Sequence, residues 1–282
     1  MSVADYAREH GLKRVGARPP LSEYLKMAWQ RRDFAITMSV FANQAANSKN
    51  RLGKWWVILL PTIQGAVYGL IFGIIIGGDR PANFIPFLFT GVFLFSFIQS
   101  SVSTGATSVT SNLGLVRSLN FPRMLLPFSS VLRQFLNLLP QIGLLLVVLV
   151  LFQQNITFNW LLMVPLLALM AIFAFGLALI SARLTVHIED INKLIPFANR
   201  VMFYVSGIFF SVERVFGDYP ILMQLMNFNP VYAFISTARG ALVEGYSMSP
   251  TLWLVCAGWA FGALLVGTWF FWKAEERYGR ED

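Results

Sequence analysis

Five stretches of the chain, 55–77, 83–107, 134–152, 160–180 and 250–272, contain no Asp, Glu, Lys or Arg. Each is close to the roughly 20 residues that a helix needs to cross a hydrocarbon core. A sixth apolar run, 197–212, is interrupted by Arg200. A soluble domain carries about 25% charged residues, and this chain carries 13%, with 26 phenylalanines among its 282 residues. Water has too little polar surface to hold here. The pattern predicts an all-α polytopic membrane protein with six transmembrane helices, which satisfy their backbone groups internally.

The polar segments between these runs set the rest of the expected layout. Residues 1–20 read as a mobile cytoplasmic tail. Residues 21–42 read as an interfacial helix. Leu21, Tyr24, Leu25, Ala28 and Trp29 share one face, suited to headgroups or to a soluble partner. A polar turn runs to Lys54, and the six-helix unit occupies 55–282. Of 22 Lys and Arg residues, 17 fall in segments on the side that carries both termini. Positive charge stays inside, so both termini are expected in the cytoplasm. The formal charge of +8 is thereby an orientation signal, and nucleic acid is not an expected partner.

Some features inside the runs stand out. Gly65, Gly69, Gly73 and Gly77 form a bare stripe for close helix packing, within one chain or across a dimer. Ser96, Ser100, Ser103 and Thr107 share a face of the second span, for packing or for a wet path. Arg133, Asn137 and Gln141 share a face of the third. Arginine at a span centre costs about 2.5–3.5 kcal/mol, so either that span starts near Gln134 or Arg133 faces a polar cavity. Residues 213–249 hold Glu213 and Arg239 and lack a full span. Asn229-Pro230 reads as a helix start, with asparagine capping and proline first. Two short helices meeting there suit a re-entrant hairpin dipping in from outside; the alternative is two helices lying flat on the outer surface.

Residues that would carry chemistry are missing. No Gly-x-x-x-x-Gly-Lys-[Ser/Thr] loop occurs to cradle a phosphate. The single cysteine, Cys256, and the distant His10 and His187 show no metal-ligand spacing. No span centre carries a carboxylate, as a proton- or sodium-coupled carrier needs. A membrane-embedded glycosyltransferase would need a polar catalytic cluster. The chain therefore reads as a transport subunit with no catalytic residues and no cofactor of its own, driven by energy from another chain.

Four motifs in order resemble one family. They are Ser48-x-x-Arg51-Leu52-Gly53-x-Trp55-Trp56-x-x-x-x-Pro61, then Gly91-Val-Phe93-Leu-Phe95-Ser-Phe97 with the Asn112…Arg117…Phe121-Pro122-Arg123 loop. Val186-x-x-x-Asp190-Ile191 and Asn229-Pro230…Arg239-Gly240 follow. Together they resemble ABC-2 type permeases that export polysaccharides and teichoic acids, the Wzm-like transmembrane subunits. Among these, the chain looks most like actinobacterial permeases for lipid-linked galactan. It departs from many members after Arg32-Asp33, where Phe34-Ala-Ile-Thr replaces an Arg-Tyr-Lys run.

The resemblance implies a homodimer in the bacterial cytoplasmic membrane with two copies of a separate ABC ATPase, which binds ATP and Mg. It implies that residues 111–123 form a cytoplasmic coupling helix. Arg117 and Arg123 would then pair with the ATPase, Phe121 would fill an apolar pocket there, and Pro122 would set the turn. It implies external re-entrant helices around Glu213, Asn229, Pro230 and Arg239. Phe93, Ser96, Phe97, Ser100, Phe203 and Tyr204 are the expected wall of a path for a lipid-linked polysaccharide. A small lipid or a drug is the alternative cargo.

Overall fold

In the computed structural model, residues 18–48, 51–75, 81 and 83–278 are described. The first 17 residues, Gly77, most of the expected 78–82 turn and the last four residues lie outside that range. The described residues form twelve α-helices and short 3-10 turns, with no strand among them. Two N-terminal helices, α1 (Leu21–Gln30) and α2 (Arg32–Ser48), precede α3 (Trp56–Ile75) and α4 (Phe84–Ala106). A short helix, α5 (Leu113–Ser118), leads to α6 (Leu125–Leu151), α7 (Met163–His187) and α8 (Ile191–Val205). Three short helices follow, α9 (Val212–Phe216), α10 (Pro220–Phe228) and α11 (Pro230–Leu242), and α12 (Pro250–Lys273) closes the bundle.

Five segments are long and apolar enough to cross a membrane: α3, α4, α6, Phe158–His187 and α12. The chain is thus a polytopic membrane protein, as its composition requires. Helix α4 is the central post, packed on α3, α6, α7, α8 and α11. Its phenylalanines are inward on all sides. The most extensive contact joins α7 to α12. There the backbones meet at Gly176 and Gly267: a Cβ on Gly176 would lie 2.3 Å from the Ala263 carbonyl carbon. No other residue fits such an approach.

Several expected boundaries move. The single helix over 21–42 is two, broken at Arg31, and its buried stripe is Tyr24, Ala28, Ala35 and Ser39. Leu25 and Trp29, placed by the sequence on the face suited to headgroups or a soluble partner, are exposed in the single chain. The helices bury their stripe against this chain, with α2 on α6. The third span begins at Leu125 as a helix, but Gln134 reaches Thr104 near the end of α4 (3.4 Å). Its first nine residues therefore project past the inner end of α4, and half-buried Arg133 lies near the boundary. The fourth helix likewise runs on to His187.

The fifth span is the largest correction. Expected at 197–212, its helix is α8, Ile191–Val205, 15 residues long. At 1.5 Å per residue it reaches about 22 Å, short of a 30 Å core. The crossing is completed by irregular backbone, 206–211. Non-helical backbone at membrane depth survives only where protein satisfies its polar groups. Buried Arg239 does so from α11, donating to the carbonyls of Gly207 (2.8 Å) and Ile208 (3.0 Å), and to Phe87 on α4 (3.2 Å). Its guanidinium carbon lies 3.3 Å from the Phe87 ring centroid.

The α10–α11 hairpin dips between the spans. Asn229 caps α11 through its side-chain oxygen, with Val231 N at 3.0 Å, and Pro230 takes the first position. Trp259 donates to the Phe228 carbonyl (2.8 Å). Trp259 is nine residues along α12 from Pro250, about 14 Å of helix. The other end of α11 is at the rim of the bundle away from the described ends of the chain. There Glu244 accepts from Asn83 (2.9 Å) and Asn155 (3.1 Å), and its N–H donates to Gln154 (2.8 Å). The tip is deep and the base is at the rim, which supports the re-entrant reading over two flat helices. Glu213 helps hold the hairpin, accepting from Tyr232 (2.8 Å) and Ser211 (2.7 Å).

Replacing Arg239 by leucine strands three carbonyls. Each orphaned buried group costs about 1–3 kcal/mol, so Arg239→Leu is expected to destabilise the chain by at least about 3 kcal/mol. A large drop in thermal unfolding midpoint in detergent checks this. An unchanged midpoint would show that the crossing at 206–211 does not depend on Arg239.

Candidate functional site

Two arrangements stand apart from the packed core. The first is a platform on the side of both termini. A second apolar cluster there gathers Tyr24 and Ala28 of α1, Val116 of α5, Phe121, Met124, Leu179, Phe271 and Tyr278. Short polar contacts lock it. Glu275 accepts from the Tyr24 hydroxyl (2.8 Å), the Arg123 N–H (3.0 Å) and the Arg123 guanidinium (3.3 Å). The Met124 N–H donates back to the Tyr24 oxygen (3.1 Å). Arg31 donates to the Asn120 carbonyl, and Phe34 sits 5.2 Å from the Phe121 ring. The two ends of the described chain meet there: Trp272 donates to the Pro19 carbonyl (2.9 Å), and the Arg18 guanidinium lies over the Trp272 ring.

Two of the residues expected at the coupling segment make their contacts within the chain. Phe121 is buried in the chain's own cluster and does not wait for a partner's pocket. Arg123 is paired with Glu275, so its charge is answered within the chain. Pro122 is buried beside them. Arg117 is exposed on α5, the short helix the sequence anticipated. Glu275 and Tyr24 were not anticipated. Nothing in the spacing of Lys273, Glu275 and Arg277 marks the acid as buried.

The second arrangement lies in the bundle. A cleft of about 320 Å³ opens between α3, α4 and α6, lined by Gln64, Ser96, Ser100, Gln134, Asn137 and Gln141, with Gln99, Trp56 and Phe97. Its lining is uncharged. Ser96 donates to its own helix at Phe93 (2.8 Å) and lies 3.2 Å from the Gln141 carbonyl oxygen. Gln141 donates to the Val57 carbonyl (3.0 Å). Gln64 and Gln99 are exposed towards the membrane zone, where a bare amide is costly. The hydroxyls of this stretch bond both their own helix and a neighbour. Thr104 bonds its own helix at Ser100 (2.7 Å), while Ser103 accepts from Asn199 on α8 (3.1 Å).

Farther out, Tyr68 and Phe72 of α3, Phe95 of α4, Phe203 and Tyr204 of α8, and Phe209 form a connected group of rings. Phe203 lies 5.3 Å from Tyr68, 5.0 Å from Phe95 and 4.9 Å from Phe209. Phe72 stacks on Phe209 at 4.3 Å. Phe203 and Tyr204, named from the sequence, are in this group, and Tyr204 is exposed. Phe93 is fully buried against Phe89, and Phe97 packs on Phe135. Tyr68, Phe72 and Phe209 were missed. The glycine stripe explains how α3 reaches this group: Gly65, Gly69 and Gly73 face Phe89, Leu88 and Phe84 of α4. Their packing is within the chain.

Among the described residues no cluster of His, Cys, Asp or Glu could hold a metal ion. The electrostatic centre of the platform is Glu275. Burial lifts its carboxyl above the ordinary range, and Arg123 and Tyr24 pull it partway back. A carboxyl that titrates higher folded than unfolded stabilises the fold below its unfolded pKa. That stability is lost as pH rises through the folded value. The thermal midpoint of the wild type is therefore expected to fall as pH rises from about 4.5 through this raised pKa. Glu275→Gln should flatten the dependence. A midpoint rising over that range, or a Gln variant with the wild-type slope, would contradict the assignment.

Comparison with known proteins agrees with this architecture. The sequence model of the ABC-2 type transporter family matches residues 38–243. The chain is similar to the O-antigen export system permease protein RfbA of Klebsiella pneumoniae, 25% identical over 69% of this chain and 74% of the relative. A Myxococcus xanthus protein of the same name is 23% identical over 68% and 74%. The polysialic acid transport protein KpsM of Escherichia coli is 27% identical over 70% and 76%. With most of its length matched, from the second N-terminal helix through the re-entrant hairpin, the chain belongs to the ABC-2 type transporter family.

Proposed function

We propose that the chain is the permease subunit of an exporter that moves a lipid-linked polysaccharide across the bacterial cytoplasmic membrane. The observation that carries this reading is the order of surfaces along α3, α4 and α8. An uncharged cleft of amides and hydroxyls leads to a group of aromatic rings. Amides offer donors and acceptors to sugar hydroxyls. Aromatic faces stack on sugar rings without a fixed ionic grip. A polymer held this way can slide. A neutral glycan such as galactan suits a cleft without charge. The relatives named for O-antigen export and polysialic acid transport point to the same class of cargo.

The chain works as a homodimer with two copies of a separate ATPase, which carries ATP and Mg. Helix α8 buries none of its residues in the single chain, and α3 exposes large apolar residues along most of its length. A second copy covers these faces. The platform faces the cytoplasm, in line with the basic residues on its side. Exposed Arg117 on α5 meets the ATPase. Phe121, Pro122 and Arg123 transmit its movement inward, because they are locked to α1 and to the end of α12.

Purification from native membranes in mild detergent tests this. The wild-type chain is expected to carry a co-purifying subunit that hydrolyses ATP. Arg117→Glu should lose that subunit and stop polymer export with its thermal midpoint unchanged. Export should continue when an uncoupler collapses the proton gradient at constant ATP. A chain that purifies alone, or export that arrests on uncoupling, would sink the proposal.

A further inference from the structure

Two proline breaks meet at the seam between α3 and α6. Pro61 lies inside α3. It has no N–H, so the Val57 carbonyl, four residues back, loses its helical donor. Pro140 does the same to the Leu136 carbonyl of α6. At membrane depth such a carbonyl must be served from elsewhere. For Val57 the donor is the Gln141 amide of α6, at 3.0 Å. Gln141 is itself buried, and its carbonyl oxygen lies 3.2 Å from the Ser96 hydroxyl, midway along α4. One side chain thus joins three helices at the point where one of them is broken.

The start of α3 is otherwise lightly held. After Pro61, Gly65, Gly69 and Gly73 seat the helix on α4. Before it, Trp56, Leu59 and Leu60 are exposed, and Val57 and Ile58 are only half-buried. The Gln141 bond also stands between two cavities. The cleft of about 320 Å³ lies on one side. A second cavity of about 390 Å³, lined by Asn43, Trp55, Ile58, Leu136 and Pro140, lies on the other, and Val57 and Asn137 line both. Helices bend at proline, so parting this bond lets the start of α3 swing about Pro61 and merges the two spaces. A neutral hydrogen bond is a light closure, but breaking it strands a carbonyl and an amide unless both find new partners. A hydroxyl can donate to the Val57 carbonyl while accepting from the Gln141 amide. An acyl chain can do neither.

We propose that Gln141 makes passage selective for hydroxyl-rich cargo: its amide latches the start of α3 shut, and a sugar hydroxyl that replaces it on the Val57 carbonyl opens the seam between the two cavities. This rests on the reading of the chain as a glycan exporter, and adds to it a gate inside one subunit. Pro61 supplies the hinge, and Ser96 keeps the freed amide aimed at the seam.

The test uses the full chain with its ATPase partner in lipid nanodiscs. Spin labels on Leu59→Cys and Leu139→Cys, both exposed positions, report the width of the seam. Cys256 is buried and stays unlabelled. Labelled chain is diluted with unlabelled chain, so that each dimer carries one pair of labels. Without sugar, the chain with Gln141 intact is expected to give one short distance, although acyl chains surround it. A neutral tetrasaccharide of galactose should add a longer one. Gln141→Leu, with similar bulk and no donor, should show the longer distance with no sugar present. Gln141→Asn, too short to reach Val57, should do the same and covers the case in which the leucine variant does not fold. Either variant should lower the thermal midpoint. Pro61→Ala in the same chain should recover most of that fall, because alanine returns an N–H to the Val57 carbonyl. A seam no wider in both Gln141 variants would overturn the latch. So would a sugar that leaves the distance unchanged, or an equal fall in midpoint with and without Pro61→Ala. ATP-driven export is scored in the same preparation. A seam that stays shut while glycan export continues removes the gate and leaves the exporter reading standing. A seam that opens in a chain exporting no glycan removes the exporter reading, and with it the role given to the sugar.

Discussion

A carbonyl at membrane depth must find a donor, and this chain obeys that rule in an unusual place. The run that should have been its fifth span stops being helical at Val205. Everything after it on the outer side depends on how 206–211 is satisfied. One buried guanidinium serves three carbonyls from two segments, while an aromatic ring lies against its face. Among the described residues the cation has no carboxylate at ion-pair distance. Carbonyl dipoles balance it, with Glu213 acting from farther off through Tyr232. Removing the guanidinium would free the loop, α11 and the start of α4 from one another. The hairpin can dip between the spans because this contact holds its flank.

The same economy is visible on the inner side. The segment proposed above for coupling, residues 111–123, is tied to the rest of the chain. Its far end is wedged among α1, α6 and the turn after α12 by Tyr24, Arg123 and Glu275. Helix α12 is in turn the closest partner of α7, where Gly176 and Gly267 bring the two backbones together. A push on α5 thus meets a stiff column of three helices. Soft parts are elsewhere. Helix α3 is little buried, and α8 has no fully buried residue. A force entering at the platform has its least resisted response in those two helices, which carry the rings and the cleft.

How much of this was legible before the structure depended on the range of the interaction. Spans with no charge, such as 83–107 and 250–272, were readable almost to the residue, because hydrocarbon thickness imposes their length. The cap at Asn229-Pro230 was readable because it is local. The 197–212 run misled because apolar content marks membrane depth, not helix. Its break depends on Arg239, some thirty residues away. Phe121 was expected to meet a partner only through the family resemblance, and in the chain a helix distant in sequence covers it. Glu275 had no signal among basic neighbours. Gln64 and Gln99 did carry one, as amides inside apolar runs. Their significance appeared only when three helices were seen to aim such groups into one cleft.

The glycine stripe on α3 has one more consequence. Gly65, Gly69 and Gly73 present a flat strip of backbone to the phenyl rings and the leucine of α4. Knobs set in holes resist both separation and sliding, whereas a flat strip against ring faces resists separation only. What fixes the height of α3 against the bundle is therefore not this strip but the rings above it, Tyr68 and Phe72 on Phe203 and Phe209, and the Gln141 amide on the Val57 carbonyl below.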